Sequence, residues 1–157
     1  MKKKILLFTA LSLMSVVSFS SCKEETKVEY PIEISFTEYS FAEISCQWTN
    51  LNYDDTIIII NSNEKLASYI NCLEGNYPEV DFSKHTLLLA HGMAPSSIVN
   101  VNCRKLQQYS EQNYKIEIGI VIGDATVISN WQLPIIVDKV GDDNIIKLIS
   151  TIKYSAL

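Results

Sequence analysis

Glycine and histidine are scarce in this chain, and their scarcity excludes several kinds of active site. The 157 residues include five glycines and two histidines. The glycines are scattered, so the chain has no glycine-rich loop of the kind that cradles phosphate groups. His85 and His91 would lie on one face of a strand about 20 Å apart, which is too far to share a metal ion. We interpret them as surface or strand-end residues, because no Gly-x-Ser-x-Gly nucleophile motif accompanies them.

Closely spaced pairs of cysteines are also missing, which excludes the common zinc-binding patterns. Cys46, Cys72 and Cys103 follow the amino-terminal segment. Outside the inner membrane, these three thiols allow one disulfide and one free cysteine, in three ways. We favour a bridge from Cys46 to Cys72, which would join a strand to a helix. Cys103 would then be a small buried residue.

Basic residues are outnumbered by acidic ones, and adjacent carboxylates occur in turns. Without the three lysines of the amino-terminal segment, 10 Lys and Arg stand against 18 Asp and Glu, a net charge of about −8. No run of Lys or Arg offsets this acidity, so we expect no binding to nucleic acid and repulsion from anionic lipid heads.

The pairs Asp54–Asp55 and Asp142–Asp143 lie in turns, where aspartate forms hydrogen bonds with its own backbone. We therefore predict no enzyme activity, no cofactor and no metal site.

The first 25 residues carry the most informative motif of the chain. Three lysines precede an apolar run over residues 5–19, and Ser20, Ser21 and Cys22 follow it. This order is typical of a secretory signal, and a cysteine directly after the small residues resembles the lipobox of bacterial lipoproteins. We predict cleavage between Ser21 and Cys22 and lipidation of the Cys22 sulfur, with acyl chains such as palmitate holding the protein on a membrane. The alternative is an ordinary secretory signal with a chance cysteine.

The residues behind Cys22 bear on location and domain organisation. Lys23, Glu24 and Glu25 resemble the acidic tag that some Gram-negative bacteria place behind the lipidated cysteine of surface lipoproteins. We predict an outer-membrane lipoprotein of a Gram-negative bacterium, periplasmic or surface-exposed. Residues 1–21 would be the signal peptide, residues 22–30 a charged tether, and residues 31–157 a single β-rich domain.

Hydrophobic periodicity predicts an α+β fold with one helix. The strongest alternation runs over residues 114–122, with isoleucines on the buried side. Leu66, Tyr69, Ile70 and Leu73 repeat at helical spacing, so we predict a helix from Asn63 to Glu74. Further strands are predicted at residues 32–36, 44–48, 56–60, 86–91, 97–106, 133–139 and 145–154. Closely spaced strands favour a mainly antiparallel β sandwich or half-barrel against which the helix packs.

Two loops and one tryptophan are candidates for contact with a partner. The loops span residues 92–97 and 123–131. Trp131 lies at the end of the second loop and is a candidate exposed interaction residue, the alternative being a core residue at a strand end. Nearby Pro134 cannot donate to a strand ladder, so we expect its strand to be an edge strand or to begin there.

Part of the chain resembles a known domain. Pro78, Asp81-Phe82-Ser83-Lys84, an apolar strand, Gly92, a turn with Pro95, and later Leu133-Pro134-Ile135-Ile136-Val137 follow one another. This order resembles the C-terminal domain of the PrcB subunit of bacterial protease complexes and related lipoproteins. That family commonly has Gly-Gly-Tyr after the turn, where this chain has Ser96-Ser97-Ile98-Val99. The resemblance implies an accessory role beside a protease and supplies no catalytic residues.

A second resemblance concerns the predicted helix. Asn61-Ser62, Glu64 and Cys72 are similar to the helix of small lipoproteins that carry a tryptophan in their first strand, and this supports the bridge from Cys46 to Cys72. The leading hypothesis is a lipid-anchored, non-catalytic protein-interaction module of the cell envelope, accessory to a secreted protease. The alternative is a surface lipoprotein that binds a glycan or small ligand, with Trp131 or tyrosines as stacking platforms.

Overall fold

The structure is a computed structural model that describes residues 28–41, 45–52, 54–73 and 77–155. Ser21 and Cys22, the predicted cleavage and lipidation site, lie outside these residues. No helix of the described segments is long and apolar enough to cross a membrane. Within them the chain forms ten strands and one helix: β1 (Ile32–Glu33), β2 (Thr37–Glu38), β3 (Cys46–Trp48), β4 (Thr56–Ile60), α1 (Asn63–Ala67), β5 (Ile70–Cys72), β6 (His85–Ala94), β7 (Ile98–Ser110), β8 (Asn113–Ile122), β9 (Ser129–Asp138) and β10 (Ile145–Tyr154).

The strands form two four-stranded sheets and a two-stranded ribbon. The first sheet has the order β1-β7-β8-β10, the second has the order β2-β9-β6-β4, and β3 pairs with β5 in the ribbon. All pairings are antiparallel except that of β10 with β8, which is parallel. A parallel pair needs a crossover connection, and here β9 makes the crossover in the other sheet. The domain is therefore mostly β with one short helix, and it is compatible with the predicted sandwich.

The first hydrophobic core combines residues of both four-stranded sheets. Alternate residues of β8, Ile116, Ile118, Ile120 and Ile122, are fully buried, as their periodicity predicted. They share one cluster with Leu88 and other apolar residues of β6 and β9. Each fully buried aliphatic side chain of this size contributes roughly 1.5–3 kcal/mol to folding. This core fixes which faces of the two sheets remain available for contact.

A second core covers the opposite face of β6. Leu87 and Leu89 pack there with Leu66 of α1 and with Tyr39, whose ring belongs to the same cluster. The Tyr39 hydroxyl donates a hydrogen bond of 2.7 Å to the Pro78 carbonyl, and burial raises the pKa of Tyr39 to about 12. Strand β6 is consequently buried on both faces, which explains its uninterrupted apolar run.

The predicted helix from Asn63 to Glu74 is wrong in its second half. Helix α1 begins after Ser62, whose hydroxyl accepts a hydrogen bond of 3.2 Å from the Lys65 amide, and it ends at Ala67. Residues Ile70–Cys72 form β5 instead. Leu73, which the helical pattern placed on the buried face, is 85 % exposed. Glu74 lies outside the described residues.

The predicted disulfide is confirmed, although the elements that it joins differ from the prediction. Cys46 of β3 and Cys72 of β5 are bonded and lie opposite each other in the ribbon. The bridge therefore connects two strands rather than a strand and a helix. Residue Cys72 pairs with Cys46 across the ribbon, whereas in a helix its backbone would form hydrogen bonds within its own segment. This pairing with a distant strand outweighs the helical repeat of the apolar residues. Cys103 is a free, half-buried thiol.

Two strand boundaries also differ from the prediction. Strand β6 continues past Gly92 to Ala94, because Gly92 and Ala94 pair with Trp131 and Ser129 of β9. Pro134 lies inside β9 between two neighbouring strands, so the expectation of an edge strand or strand start is wrong. Its carbonyl accepts a hydrogen bond of 3.0 Å from Tyr39 on the β2 side. In a strand, N and C=O of one residue point to the same side, so the missing N–H of Pro134 costs no bond with β6.

Candidate interaction surface

The structure brings together the two loops that the sequence singled out. The turn between β6 and β7 lies against residues 123–128, which connect β8 to β9. The hydroxyl of buried Ser96 lies 2.6 Å from the Gly123 carbonyl and 2.5 Å from the Ala125 carbonyl, and it can donate its hydrogen bond to either of them. Main-chain bonds join Ser97 N–H to Ala125 O at 3.2 Å and Gly123 N–H to Ser97 O at 2.8 Å. The two loops therefore form one hydrogen-bonded unit at one end of the domain.

This unit carries exposed aliphatic side chains. Val99 is 60 %, Val127 is 51 % and Ile128 is 72 % exposed. Val99 lies next to the joined loops, because a β-carbon on Gly123 would be 3.5 Å from Val99 Cγ2. We call Val99, Val127 and Ile128, with the loops that carry them, the loop-end surface. Val127 and Ile128 are adjacent in sequence, and exposed apolar side chains that form a contiguous patch mark sites of protein–protein contact.

Trp131 is fully buried, so the interpretation of this residue as an exposed contact is wrong. Its exposure is 1 %, and its ring belongs to the first core. Because β9 begins at Ser129, Trp131 lies within the paired strand opposite Gly92 rather than in a loop. A β-carbon on Gly92 would approach the Trp131 ring to 3.0 Å and would collide with the Asp55 carboxylate. Gly92 therefore provides the space in which Trp131 packs.

His91 is buried too, contrary to the expectation of a surface or strand-end histidine. It is 2 % exposed, and neither of its ring nitrogens has a hydrogen-bond partner within the described segments; the same holds for Trp131 Nε1. Both residues line a cavity of about 20 Å³, together with Leu51, Asn52 and Gln132. A cavity of this size holds about one water molecule.

Electrostatics around His91 favour its neutral form. Burial lowers the pKa of His91, against the opposing influence of Asp55, the nearby main chain of Asn52 and Asp54. The Asp55 carboxylate has other partners: it accepts hydrogen bonds from the Met93 amide at 3.3 Å and the Ser150 hydroxyl at 2.9 Å. His85 lies at the other end of β6, where Nδ1 is 3.9 Å from Asp138. The two histidines therefore have separate surroundings.

The adjacent carboxylates Asp142 and Asp143 form hydrogen bonds with side chains of other segments. Asp142 accepts a hydrogen bond of 3.0 Å from the Asn61 amide, and Asp143 accepts one of 3.5 Å from Gln112. Over the described part of the chain, no group of three or more His, Cys, Asp or Glu side chains is arranged to hold a metal ion.

Sequence reasoning missed Ser96 and the exposed pair Val127 and Ile128. The signal for the pair was present, because two adjacent aliphatic residues inside a predicted loop have no core to enter. The role of Ser96 depends on a contact with residues 27 and 29 positions away, which no local pattern reveals. Comparisons with family models, with curated proteins and with solved structures found no match to this chain.

Proposed function

We propose that this protein is a lipid-anchored component of the bacterial envelope whose β-rich domain acts as a non-catalytic protein-interaction module. The lipobox-like sequence ending at Cys22 supports the anchor. The loop-end surface supports the interaction, and it is the observation that carries the proposal. By analogy with the protease-complex subunit that the sequence resembles, the partner is a secreted protease or an assembly that contains one.

The loop-end surface has the properties of a preorganised binding site. Ser96 and the main-chain bonds hold two loops in one arrangement, so little conformational entropy is lost when a partner binds. Val99, Val127 and Ile128 are exposed and would bury apolar area in a complex, which is the main favourable term in association. The glycan alternative loses its leading residue, since Trp131 is buried and cannot stack on a sugar.

Site-specific photocrosslinking in cells tests the proposal. A photoreactive amino acid is placed at Val127 or Ile128 in the full-length chain, and the matched control carries it at Leu73, an equally apolar and 85 % exposed residue of another region. We expect one discrete crosslinked protein from positions 127 and 128 and none from position 73. The substitutions Val127→Asp and Ile128→Asp together should reduce copurification of that protein at least tenfold.

Two results would overturn the proposal. One is the same crosslinking pattern from Leu73 as from the loop-end surface, which would indicate collision rather than binding. The other is unchanged copurification with the double aspartate variant, provided that its urea denaturation curve matches that of the wild type. Selective binding of the isolated wild-type protein to a glycan array would support the alternative, a surface lipoprotein that binds a glycan.

A further inference from the structure

We propose that the outer face of the sheet β1-β7-β8-β10 binds the anionic headgroups of the membrane that carries the lipid anchor. The choice of a membrane as ligand rests on the proposed function, whereas the charge of the face follows from the described residues. We call this surface the basic face. Its cations are Arg104, Lys105, Lys115, Lys147 and Lys153.

Strand register places these cations together. In the pairing of β10 with β8, Lys147 lies opposite Lys115 and Lys153 lies opposite Val121. Across the other edge of β8, Lys105 lies opposite Glu117. Paired residues project from the same face of a sheet, and the alternate residues of β8 fill the core. All of these side chains therefore point away from the core.

Arg104 completes the face through a β-bulge. The register between β7 and β8 shifts between Cys103 and Lys105, so Arg104 has no partner of its own. Its side chain lies over Gly119 of β8, where an added β-carbon would be 2.7 Å from Arg104 Cζ. Gly119 therefore lets the guanidinium group lie against the middle of the sheet.

The carboxylates on this face do not neutralise it. Glu117 is 2.8 Å from Lys115, and its hydrogen bond and attraction to Lys115, followed by Lys105 and Arg104, lower the pKa of Glu117. Glu33 of β1 lies at the edge of the face, opposite a β7 residue. Five cations and two carboxylates leave a formal charge of about +3, on a chain that carries about −8 after signal cleavage.

Most cations of the basic face have no ion-pair partner in the part of the chain that the structure describes. Of the five, Lys115 alone takes part in an ion pair that involves described residues. Its hydrogen bond to Glu117 raises the pKa of Lys115, so this lysine stays charged. A ligand with several negative charges would supply ion-pair partners to the other four cations.

The entry point of the chain favours a membrane as that ligand. Strand β1 forms an edge of the sheet that carries the basic face, and nine residues separate Cys22 from Ile32. An extended tether of this length reaches about 30 Å at most. An acylated Cys22 therefore keeps the basic face close to the headgroups. Acidic residues elsewhere oppose this contact weakly, because salt screens charges beyond about 8–10 Å.

Vesicle cosedimentation tests the inference independently of acylation. The processed chain carrying Cys22→Ser is mixed with two kinds of vesicle. One contains phosphatidylcholine alone, and the other contains in addition the anionic lipid phosphatidylglycerol at about 30 mole percent. We expect binding to the anionic vesicles that weakens with salt. Each basic residue near an anionic bilayer strengthens binding roughly fivefold, so Lys147→Gln with Lys153→Gln should weaken it about 25-fold. The matched control, Lys65→Gln with Lys84→Gln, changes the net charge equally and should change binding less than threefold.

Equal loss of binding in both double variants, or no preference for anionic vesicles, would overturn the inference. Binding to soluble heparin without binding to anionic vesicles would also overturn it, because the ligand would then be a free polyanion. Fatty-acid labelling of the wild-type chain reports separately on the anchor. Vesicle binding without fatty-acid labelling would reject the lipid anchor and support the binding of headgroups by the basic face. Labelling without vesicle binding would support the lipid anchor and reject the binding of headgroups by the basic face.

Discussion

The disulfide between Cys46 and Cys72 should contribute about 3.5 kcal/mol to the free energy of unfolding. The two cysteines are 26 residues apart in sequence. Closing a loop of that length in the unfolded chain lowers its conformational entropy by an amount equivalent to about 3.5 kcal/mol at 25 °C. The bridge also stabilises the ribbon β3–β5, whose strands have three residues each and would be marginal alone.

The ribbon in turn positions Trp48 in the second core. The Trp48 ring centroid lies 5.0 Å from that of Phe41 and 6.0 Å from that of Tyr39. Loss of the bridge should therefore alter the near-ultraviolet circular dichroism of these rings. It should leave the first core in place, because the residues of that core belong to other strands.

The assay is urea denaturation of the processed chain carrying Cys22→Ser, with and without Cys46→Ser and Cys72→Ser. We expect a loss of about 3.5 kcal/mol and a decrease in Tm of about 10 °C. The parent chain in reductant is the matched control and should show the same loss. Burial raises the pKa of the Cys103 thiol to about 11, so at neutral pH this thiol stays protonated and should not attack the bridge. A loss below about 1 kcal/mol in both samples would refute the constraint that we assign to the bridge.

Three further predictions concern buried residues. Trp131→Ala should cost about 3–5 kcal/mol in urea denaturation, with partner copurification per folded molecule unchanged; lost copurification at wild-type stability would contradict its burial. Because the pKa of His91 is lowered from 6.5 in the folded state, stability should fall as pH decreases below about 6.5. His91→Gln should flatten that dependence in denaturation curves, whereas His85→Gln should retain it. Thr86→Val leaves the buried Val140 amide without its 2.9 Å acceptor and should cost about 1–3 kcal/mol, whereas Thr86→Ser should cost less.

Local periodicity predicted the elements whose environment matches their pattern. Strand β4 and strand β10 have the predicted bounds, and the alternating isoleucines of β8 are buried as expected. In these segments intrinsic preference, burial and pairing agree, so the sequence is sufficient. The predicted pairing of Cys46 with Cys72 also holds, although it joins two strands of one ribbon rather than a strand and a helix.

The predictions failed where distant residues decide the outcome. Leu66, Tyr69 and Ile70 fit a helical face, but β3 supplies a pairing partner that the pattern does not include, and the chain becomes a strand at Ile70. Trp131 follows a loop-like sequence and yet is buried, because ten residues of β9 pair with β6. No local signal encodes such pairings.

The basic face shows the same limitation for charge. Its five cations are spread from position 104 to position 153, so no segment is rich in Lys or Arg and the chain looks uniformly acidic. Register between β7, β8 and β10 brings them to one surface. The repulsion from anionic lipid that net charge predicts therefore differs from the attraction that we infer for this face.

The central proposal is that lipid holds the domain on a membrane, and its most direct test is to measure whether Cys22 is acylated. Intact mass spectrometry of the wild-type protein, extracted with detergent from membranes, makes this measurement. We expect a chain of residues 22–157 that carries acyl chains on Cys22, and a Cys22→Ala variant that lacks this added mass. A wild-type chain that is processed at another residue, carries no acyl group and is recovered in the soluble fraction would contradict the proposal.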